Sequence, residues 1–331
     1  MTQKEEFLKT FTSTSTDVEK IIESGSGRSN FRFKTKNDSY ILTQSDNVKE
    51  NQTFFYLSNL FDSLNGNVPE VLSVSKDETM YIQDDLGDTS LLDLRLRKDT
   101  STMTLYELTV KKLVHLQVGA HQIIDYSKLY ESNSLDKMLV HRDLFYFKNY
   151  FLDLLDFEYS QAELLNEFEK ISDGIEKTRY RYFIFRDFQG RNILIKDNKP
   201  YFIDFQDGME GPIAYDLVSL LWQAKAQLSD EEKSHLYNIY TQELQQLLPN
   251  LFVEELFRKD YYKCVLIRLM QVVGAYGKLG IMQQKRHFKE SLVYGIQNLK
   301  KFNQNEFMNN YPVLKSIFEQ LDELQIPKIK A

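Results

Sequence analysis

Residues 182–208, YFIFRDFQGRNILIKDNKPYFIDFQDG, decide the fold of this chain. Two short apolar segments, NILI and YFI, flank the turn sequence KDNKP and predict a two-stranded ribbon. One carboxylate, Asp187, precedes the ribbon, and a second, Asp204, follows 17 positions later. Because the two open ends of such a ribbon lie side by side, we expect both carboxylates at the same end.

This pair of carboxylates matches the needs of phosphoryl transfer. That reaction uses a carboxylate to orient or accept the proton of the attacking hydroxyl, and oxygen ligands to hold Mg²⁺ across the nucleotide phosphates. The spacing predicts Asp187 as the base, with Asn192 and Asp204 as magnesium ligands. Arg186 is a candidate for neutralising phosphate charge or an exposed loop arginine, and Asp207 is a weaker metal neighbour. The alternative is an ordinary hairpin whose aspartates serve as turn and cap residues.

A second stretch, VHRDLFYFKNYF at residues 140–151, carries a similar Arg-Asp pair. Here Asp143 and Asn149 lie six positions apart, and 17 residues beyond Asp143 the chain reads SQAEL. That segment predicts the start of a helix rather than a strand ending in aspartate. The stretch therefore lacks the pattern of a catalytic loop.

Composition limits the class of protein. The 331 residues are 42% hydrophobic, which supplies a large core, and the formal charge of −7 argues against a general nucleic-acid binder. The single cysteine, Cys264, excludes an internal disulfide, and no apolar run approaches about 18 residues. We expect a cytoplasmic protein that does not bind membranes, and nothing in the sequence indicates an obligate protein partner.

Apolar periodicity divides the chain into two regions. Residues 16–84 predict a short helix around Val18, Ile21 and Ile22, a hairpin, a helix near residues 54–61, and strands near EVLSVS and TMYIQDD. From about residue 90 the pattern is mostly helical, through LYELTVKKLVHLQV, LLWQAKAQL and CVLIRLMQVVGAYG. The predicted fold class is α+β, with a small β-rich lobe at residues 1–88 and a larger helical lobe at residues 89–331.

At these motifs the chain resembles the aminoglycoside phosphotransferase and choline kinase superfamily. The family pattern is His-x-Asp-x-x-x-x-Asn, then Ile-Asp-Phe/Trp, then a Gly-Pro-x-x-Asp-Leu helix start. In this chain the pattern runs from Phe185 to Asn192, from Ile203 to Phe205, and through residues 211–217 with one residue more. The resemblance implies a two-lobed protein-kinase-like fold, ATP and Mg²⁺ as cosubstrates, and the hydroxyl of a small molecule as acceptor.

More closely, the chain is similar to bacterial cell-wall sugar kinases, which phosphorylate the anomeric hydroxyl of N-acetylmuramate or N-acetylglucosamine. The similar stretches include GSGRSNFR, QDDLGDTSLLD and RLMQVVGAYGKLGIMQQKRHF, and the resemblance covers about residues 24–300. It implies that Asp143 binds acceptor hydroxyls, although a helix-surface aspartate is the alternative. Arg268 and Gln271 share one helix face and either line the acceptor side or are exposed.

The pattern departs from the family at three positions. Phe185 replaces the usual histidine, the predicted third strand SYILTQ lacks the lysine that contacts nucleotide phosphates, and Gln52 replaces the glutamate that pairs with this lysine. Glu50 lies close to that position in the sequence.

Arg28 or Arg32, in the first hairpin after Gly25 and Gly27, is the candidate replacement for the missing lysine. The alternative is that both are exposed strand arginines beside an ordinary turn.

Two further assignments follow from the resemblance. The adenine is expected against the backbone of Gln83, Asp84 and Asp85. Asp216 is expected to cap the following helix or to brace the catalytic loop, without a direct catalytic role.

Three functions are compatible with these observations. The first is an ATP- and magnesium-dependent sugar kinase, and the second is a kinase for a cationic acceptor such as choline or an aminoglycoside. The third is a non-catalytic nucleotide-binding protein, which the missing lysine favours.

Overall fold

The structure, a computed structural model, describes residues 3–12, 17–21, 27–36 and 38–323. Its strands are β1 (Val18–Lys20), β2 (Ser29–Lys34), β3 (Ser39–Gln44), β4 (Val71–Val74), β5 (Met80–Asp84), β6 (Arg181–Ile184), β7 (Ile193–Lys196), β8 (Lys199–Phe202) and β9 (Met209–Pro212). Its α-helices are α1 (Gln3–Phe11), α2 (Val48–Ser63), α3 (Leu91–Leu96), α4 (Thr102–Ile123), α5 (Lys137–Phe147), α6 (Gln161–Glu176), α7 (Ala214–Leu221), α8 (Asp230–Leu247), α9 (Glu254–Tyr276), α10 (Arg286–Asn303) and α11 (Pro312–Glu319). The predicted α+β class, with strands early and helices late in the chain, is confirmed.

The chain forms two compact units. The first contains Met1–Asn133 and Phe185–Met209, and the second contains Ser134–Ile184 and Glu210–Ala331. The ribbon around residues 193–202 therefore belongs with the N-terminal sheet rather than with its neighbours in sequence. The chain-order division at residue 88 stays a prediction.

A five-stranded antiparallel sheet, in the order β1-β2-β3-β5-β4, forms the base of the first unit. Its buried face carries Phe33, Leu42 and Ile82, which pack with Phe7 and Leu8 of α1. In β2 the buried Phe33 lies between Arg32 and Lys34, whereas consecutive residues are buried in the central strands β3 and β5, so these two strands are covered on both faces.

Two predicted helical segments are wrong. Val18 lies in β1, opposite Phe33 of β2, because pairing with a neighbouring strand outweighs the helical spacing of a very short segment. Ile22 and Gly25, which belong to the same predictions, lie outside the described residues. In LLWQAKAQL, α7 ends at Leu221 and Gln227 adopts a left-handed φ of +44°, which the α-helical conformation excludes.

The predicted two-stranded ribbon consists of β7 and β8, with Ile193 opposite Phe202. Its two turn residues, Asp197 and Asn198, have φ values of +51° and +57°. Such paired left-handed residues match the right-handed twist of a two-residue hairpin, and Asp and Asn tolerate them well. The ribbon predicted from the sequence is therefore confirmed.

Helix α9 runs through the second unit and contacts α5, α6, α7 and α10. Its close approach to α5 requires glycine, because a Cβ on Gly274 would lie 2.8 Å from the Cα of Phe147. Within the segment Glu254–Met282, an 18-residue window has a mean hydropathy of 1.4, which by length and composition is enough to span a membrane. Since 67% of its most apolar window is buried within the protein, it has the character of an interior helix.

Candidate active site

The ribbon brings the predicted catalytic side chains together at its open end, inside the first unit. Nδ2 of Asn192 donates to Oδ2 of Asp204 at 3.2 Å and to Oδ2 of Asp187 at 3.5 Å. The same amide donates to the backbone carbonyl of Asp187 at 2.9 Å, which fixes the loop between them. The expected juxtaposition is confirmed, and the catalytic roles stay a prediction.

Two residues at this end have a backbone conformation that side chains disfavour. Arg186, immediately before the base, has a φ of +73°, and Asp204 has a φ of +62°. Left-handed conformations of non-glycine residues cost about 1 kcal/mol or more each and persist where packing enforces them. Such strain is concentrated at functional sites, which supports the assignment of this loop.

Stacked aromatic rings hold both loops in place. Phe185 stacks on Phe61 of α2 at 5.2 Å between ring centroids, and Phe205 stacks on Phe54 of the same helix at 5.1 Å. Phe185 is only 2% exposed and also contacts Phe202 of the ribbon. The residue that replaces the family histidine is thus an apolar support, which joins α2 to the catalytic loop.

The carboxylate of Asp187 accepts two side-chain hydrogen bonds that the sequence reasoning missed. Nη2 of Arg191 donates to it at 2.7 Å, and the amide of Gln189 donates to its other oxygen. Both partners come from the same loop, and nothing in their spacing marks them as functional. They fix the orientation of the proposed base.

Asp204 is also oriented by a neighbour. Nε2 of Gln206 donates to its Oδ1 at 2.9 Å, whereas the buried Oε1 of Gln206 has no hydrogen-bond partner among the described residues. Although solvent reaches Asp207, burial by the surrounding protein and the negative charges of Asp204 and Glu50 raise its pKa to about 6. An excess of negative charge therefore surrounds the open end of the ribbon.

An arginine provides the ion pair that the absent lysine would make. Arg28, the residue immediately before β2 and 8% exposed, forms an ion pair with Glu50 in the first turn of α2. Nδ2 of Asn47 donates to the second carboxylate oxygen of Glu50 at 3.2 Å. Gln52 instead donates to Glu78 at the surface. The carboxylate that pairs with the Arg28 guanidinium is therefore Glu50, and not the residue at position 52.

The charge of Arg28 also acts on Asp207. Its positive charge lowers the pKa of Asp207, against the larger effects that raise it. Its Nε is buried and has no hydrogen-bond partner within the described residues. A buried donor without an acceptor is costly, and an anionic group bound beside it would satisfy it.

The second candidate arginine, Arg32, is fully engaged within the protein. Its Nε lies 2.7 Å from Asp85, and its Nη2 lies 2.6 Å from Asp88. The hydroxyl of Ser39 donates to the same carboxylate of Asp85 at 2.6 Å. Arg32 thus ties β2 to the segment that follows β5, and its donors face carboxylates rather than the catalytic ribbon.

The residues predicted beside the adenine lie at the end of β5. Gln83 pairs with Ile41 of β3, and its buried Oε1 has no hydrogen-bond partner in the described part of the chain. Asp84 accepts from the backbone amide of Glu70 at 3.4 Å. The adenine contact itself stays a prediction.

The candidate acceptor residues lie in the second unit. Asp143 is buried on α5 and forms an ion pair with Arg142 at 3.7 Å. Arg268, 6% exposed, donates to Oε1 of Gln271, which also accepts from the hydroxyl of Tyr215 at 3.1 Å. The alternative of an exposed arginine on α9 is therefore wrong, because Arg268 belongs to a largely buried polar cluster.

Asp216 lies within the first turn of α7 and is completely buried. The N-cap position belongs to Ile213, so Asp216 does not cap the helix in the predicted way. Its role as a brace stays a prediction.

The donor set at the open end of the ribbon fits Mg²⁺. This ion prefers hard oxygen ligands and commonly takes one or two from protein, with phosphates and water completing the octahedron. Asp204 offers carboxylate oxygens, and Asn192 offers its amide oxygen while its Nδ2 stays bound to the backbone carbonyl of Asp187. Asn192 and Asp204 would hold the ion.

Comparisons with known proteins agree with this geometry. A profile described as "Phosphotransferase enzyme family" matches residues 19–249. Over 281 residues the chain is 24% identical to the N-acetylmuramate/N-acetylglucosamine kinase of Neisseria meningitidis serogroup B, covering 82% of this chain and 79% of that protein.

Solved structures show the same fold. A choline/ethanolamine kinase family protein of Mesorhizobium loti matches with a TM-score of 0.61 and 12% identity, over 96% of this chain and 100% of that chain. A thermostable mutant of the aminoglycoside phosphotransferase APH(4)-Ia, in complex with ADP and hygromycin B, matches with a TM-score of 0.54 and 14% identity, over 90% and 99%. The predicted protein-kinase-like fold is confirmed.

Proposed function

Because this chain belongs to the phosphotransferase enzyme family and is a small-molecule kinase, we propose that it transfers the γ-phosphoryl group of ATP to a hydroxyl of an amino sugar. N-acetylmuramate and N-acetylglucosamine are the proposed acceptors, and Mg²⁺ is the proposed metal. The observation that carries the proposal is the approach of Asp187, Asn192 and Asp204 at one end of the ribbon. We also propose that the reaction takes place in the cytoplasm, where ATP is available.

Asp187 is the proposed base. Arg191 and Gln189 hold its carboxylate, so it would meet the acceptor hydroxyl in a fixed orientation and accept its proton. A positioned general base of this kind contributes roughly 10²–10⁴-fold to the rate. When bound, Mg²⁺ neutralises negative charge on the transferring phosphates.

Arg28 is the proposed phosphate contact. Glu50 orients it, and its unsatisfied Nε provides a donor for an anionic oxygen. This arrangement performs from β2 the task that a lysine on the third strand performs in protein kinases. Arg32 would instead hold the segment that contacts the adenine, through Asp85.

The acceptor side favours a sugar over a cation. Arg268 places a positive charge in the buried cluster with Gln271 and Tyr215, which disfavours a quaternary ammonium group there. The carboxylate of Asp143 and the amide NH2 group of Gln271, whose oxygen is already engaged, suit sugar hydroxyls. The Neisseria meningitidis kinase that is 24% identical to this chain over 281 residues is named for the two N-acetylated sugars.

A non-catalytic nucleotide-binding protein is the second candidate function, and the missing lysine is the observation that favours it. The Arg28–Glu50 ion pair weakens this argument against catalysis, because it supplies a cation held by a carboxylate. Nucleotide binding without phosphoryl transfer to any acceptor would favour this second candidate.

Incubation of the purified protein with magnesium-ATP and a panel of acceptors tests the proposal. The panel contains the two N-acetylated sugars, choline and an aminoglycoside, and mass spectrometry identifies the phosphorylated product. We expect Asp187→Asn to lose roughly 10²–10⁴-fold in turnover. The matched control is Asp197→Asn at the far turn of the ribbon, where asparagine tolerates the φ of +51° and activity should be retained. Full activity of Asp187→Asn would refute the assignment of the base.

A further inference from the structure

A cavity of about 450 Å³ lies entirely within the second unit. It is lined by residues from the first half of α8, the first half of α9 and the end of α10. Its lining residues do not include any member of the candidate active site. The volume is in the range that accommodates a ring-bearing small molecule.

Aromatic side chains form fixed walls of this cavity. Nε1 of Trp222 donates to the hydroxyl of Tyr261 at 3.0 Å, and the Trp222 ring meets Phe302 edge to face at 5.7 Å. Tyr237 packs edge to face on Tyr261 at 5.1 Å. Because the rings hold one another, the walls are already formed before a ligand enters.

Two donors in the cavity are shielded from solvent and lack protein acceptors in the part of the chain that the structure describes. Lys233 is 8% exposed, and its Nζ lies 3.9 Å from the centroid of the Trp222 ring, with no carboxylate partner among the described residues. The buried hydroxyl of Tyr237 has no hydrogen-bond partner within the described residues. Arg258, which also lines the cavity, is exposed and makes no ion pair with a described residue. Buried donors are normally satisfied, so the ammonium of Lys233 and the hydroxyl of Tyr237 together indicate a missing acceptor, and Arg258 adds positive charge beside them.

The nearby carboxylates are already occupied. Asp230, which lines the cavity, forms an ion pair with Lys301 at 2.6 Å. Glu232 accepts from the backbone amide of Ser229 at 2.7 Å and so closes the cap of α8. Burial, and then the charge of Lys301, lower the pKa of Lys233 to about 8, as expected for an ammonium that lacks a counter-ion.

We propose that this cavity binds a small organic anion in which a phosphate or carboxylate is attached to a flat ring. The oxyanion accepts from Lys233, Arg258 and the hydroxyl of Tyr237, and the ring packs on Trp222. Direct charge-assisted hydrogen bonds of this kind are stronger than neutral ones and give orientation as well as affinity.

Trp222 provides the assay, because it is the single tryptophan of the chain and lines the cavity. The full-length protein is titrated with phenyl phosphate and with benzoate, and tryptophan fluorescence and calorimetry are recorded in parallel. We expect saturable binding of at least one probe, and the tighter probe identifies the preferred oxyanion. Inorganic phosphate and benzyl alcohol, which each lack one half of the ligand, should bind at least tenfold more weakly.

Substitutions locate the binding. Lys233→Met should weaken the probe at least tenfold, and Tyr237→Phe, which removes one hydroxyl, should weaken it about threefold or more. The matched control is Lys259→Met, which removes an exposed lysine of α9 that pairs with Glu255. Cooperative thermal unfolding shows whether each variant is folded. If Lys233→Met does not fold, the affinity of Tyr237→Phe for the probe tests the proposal. Absence of saturable binding by either probe, or unchanged affinity in the folded variants, would overturn the proposal.

Discussion

Replacement of Arg28 by methionine tests whether the Arg28–Glu50 ion pair substitutes for the missing lysine. The two side chains are only 10% and 17% exposed, so the substitution leaves a largely buried carboxylate without its counter-ion. Breaking a fully buried pair costs about 3–5 kcal/mol. Because Asn47 still donates to Glu50, we expect a loss of about 2–3 kcal/mol in the free energy of unfolding.

The catalytic effect of the same substitution should be separate from its effect on stability. Loss of a charged donor to the phosphates lowers kcat/KM by roughly 10²–10³-fold. The double variant Arg28→Met/Glu50→Gln removes both charges, so it should recover much of the stability and none of the activity. Chemical denaturation and steady-state kinetics measure the two quantities.

A surface substitution provides the control for Arg28. Gln52→Ala removes an exposed hydrogen bond to Glu78 from the same helix, and it should change stability by less than about 0.5 kcal/mol. If Arg28→Met keeps kcat/KM within about threefold of the natural protein, Arg28 does not contact the transferring phosphates, whatever happens to stability.

Three further predictions address the same unit. The pKa of Asp207 is raised to about 6 in the folded protein, so the folded state binds more protons than the unfolded state between about pH 4 and 6. The stability of the natural protein relative to Asp207→Asn should therefore fall as pH rises through that window. A difference in denaturation midpoints that does not change with pH would contradict this. Phe185→His, which restores the family residue, should cost about 2–3 kcal/mol in denaturant unfolding because it buries a polar ring against Phe61, and a gain in stability would show that the stacking is dispensable. Arg32→Gln should raise KM for ATP more than it lowers kcat, because it frees Asp85 beside the proposed adenine contact; an equal fall in kcat and kcat/KM would place Arg32 in the transition state instead.

The local parts of the fold were predictable from sequence. The ribbon follows from two apolar segments and a turn at Asp197 and Asn198, and each of these signals is contained in a few consecutive residues. The approach of Asp187 to Asp204 follows from the ribbon, since its geometry leaves the open ends side by side.

The remaining contacts depend on partners far apart in sequence. Arg28 pairs with Glu50, 22 positions away, and Arg32 pairs with Asp85, 53 positions away. From the sequence alone either arginine could replace the missing lysine, because only packing decides which one pairs with the glutamate of α2. The three-residue strand at Val18 was missed for a similar reason, since its conformation depends on pairing with β2 rather than on its own periodicity.

Phosphorus NMR of the reaction mixture tests the central claim most directly. With magnesium-ATP and N-acetylmuramate or N-acetylglucosamine, we predict a new phosphate monoester resonance that couples to the anomeric proton of the sugar and is absent with Asp187→Asn. Formation of only ADP and inorganic phosphate, or a sugar phosphate produced equally by the Asp187→Asn variant, would contradict the account.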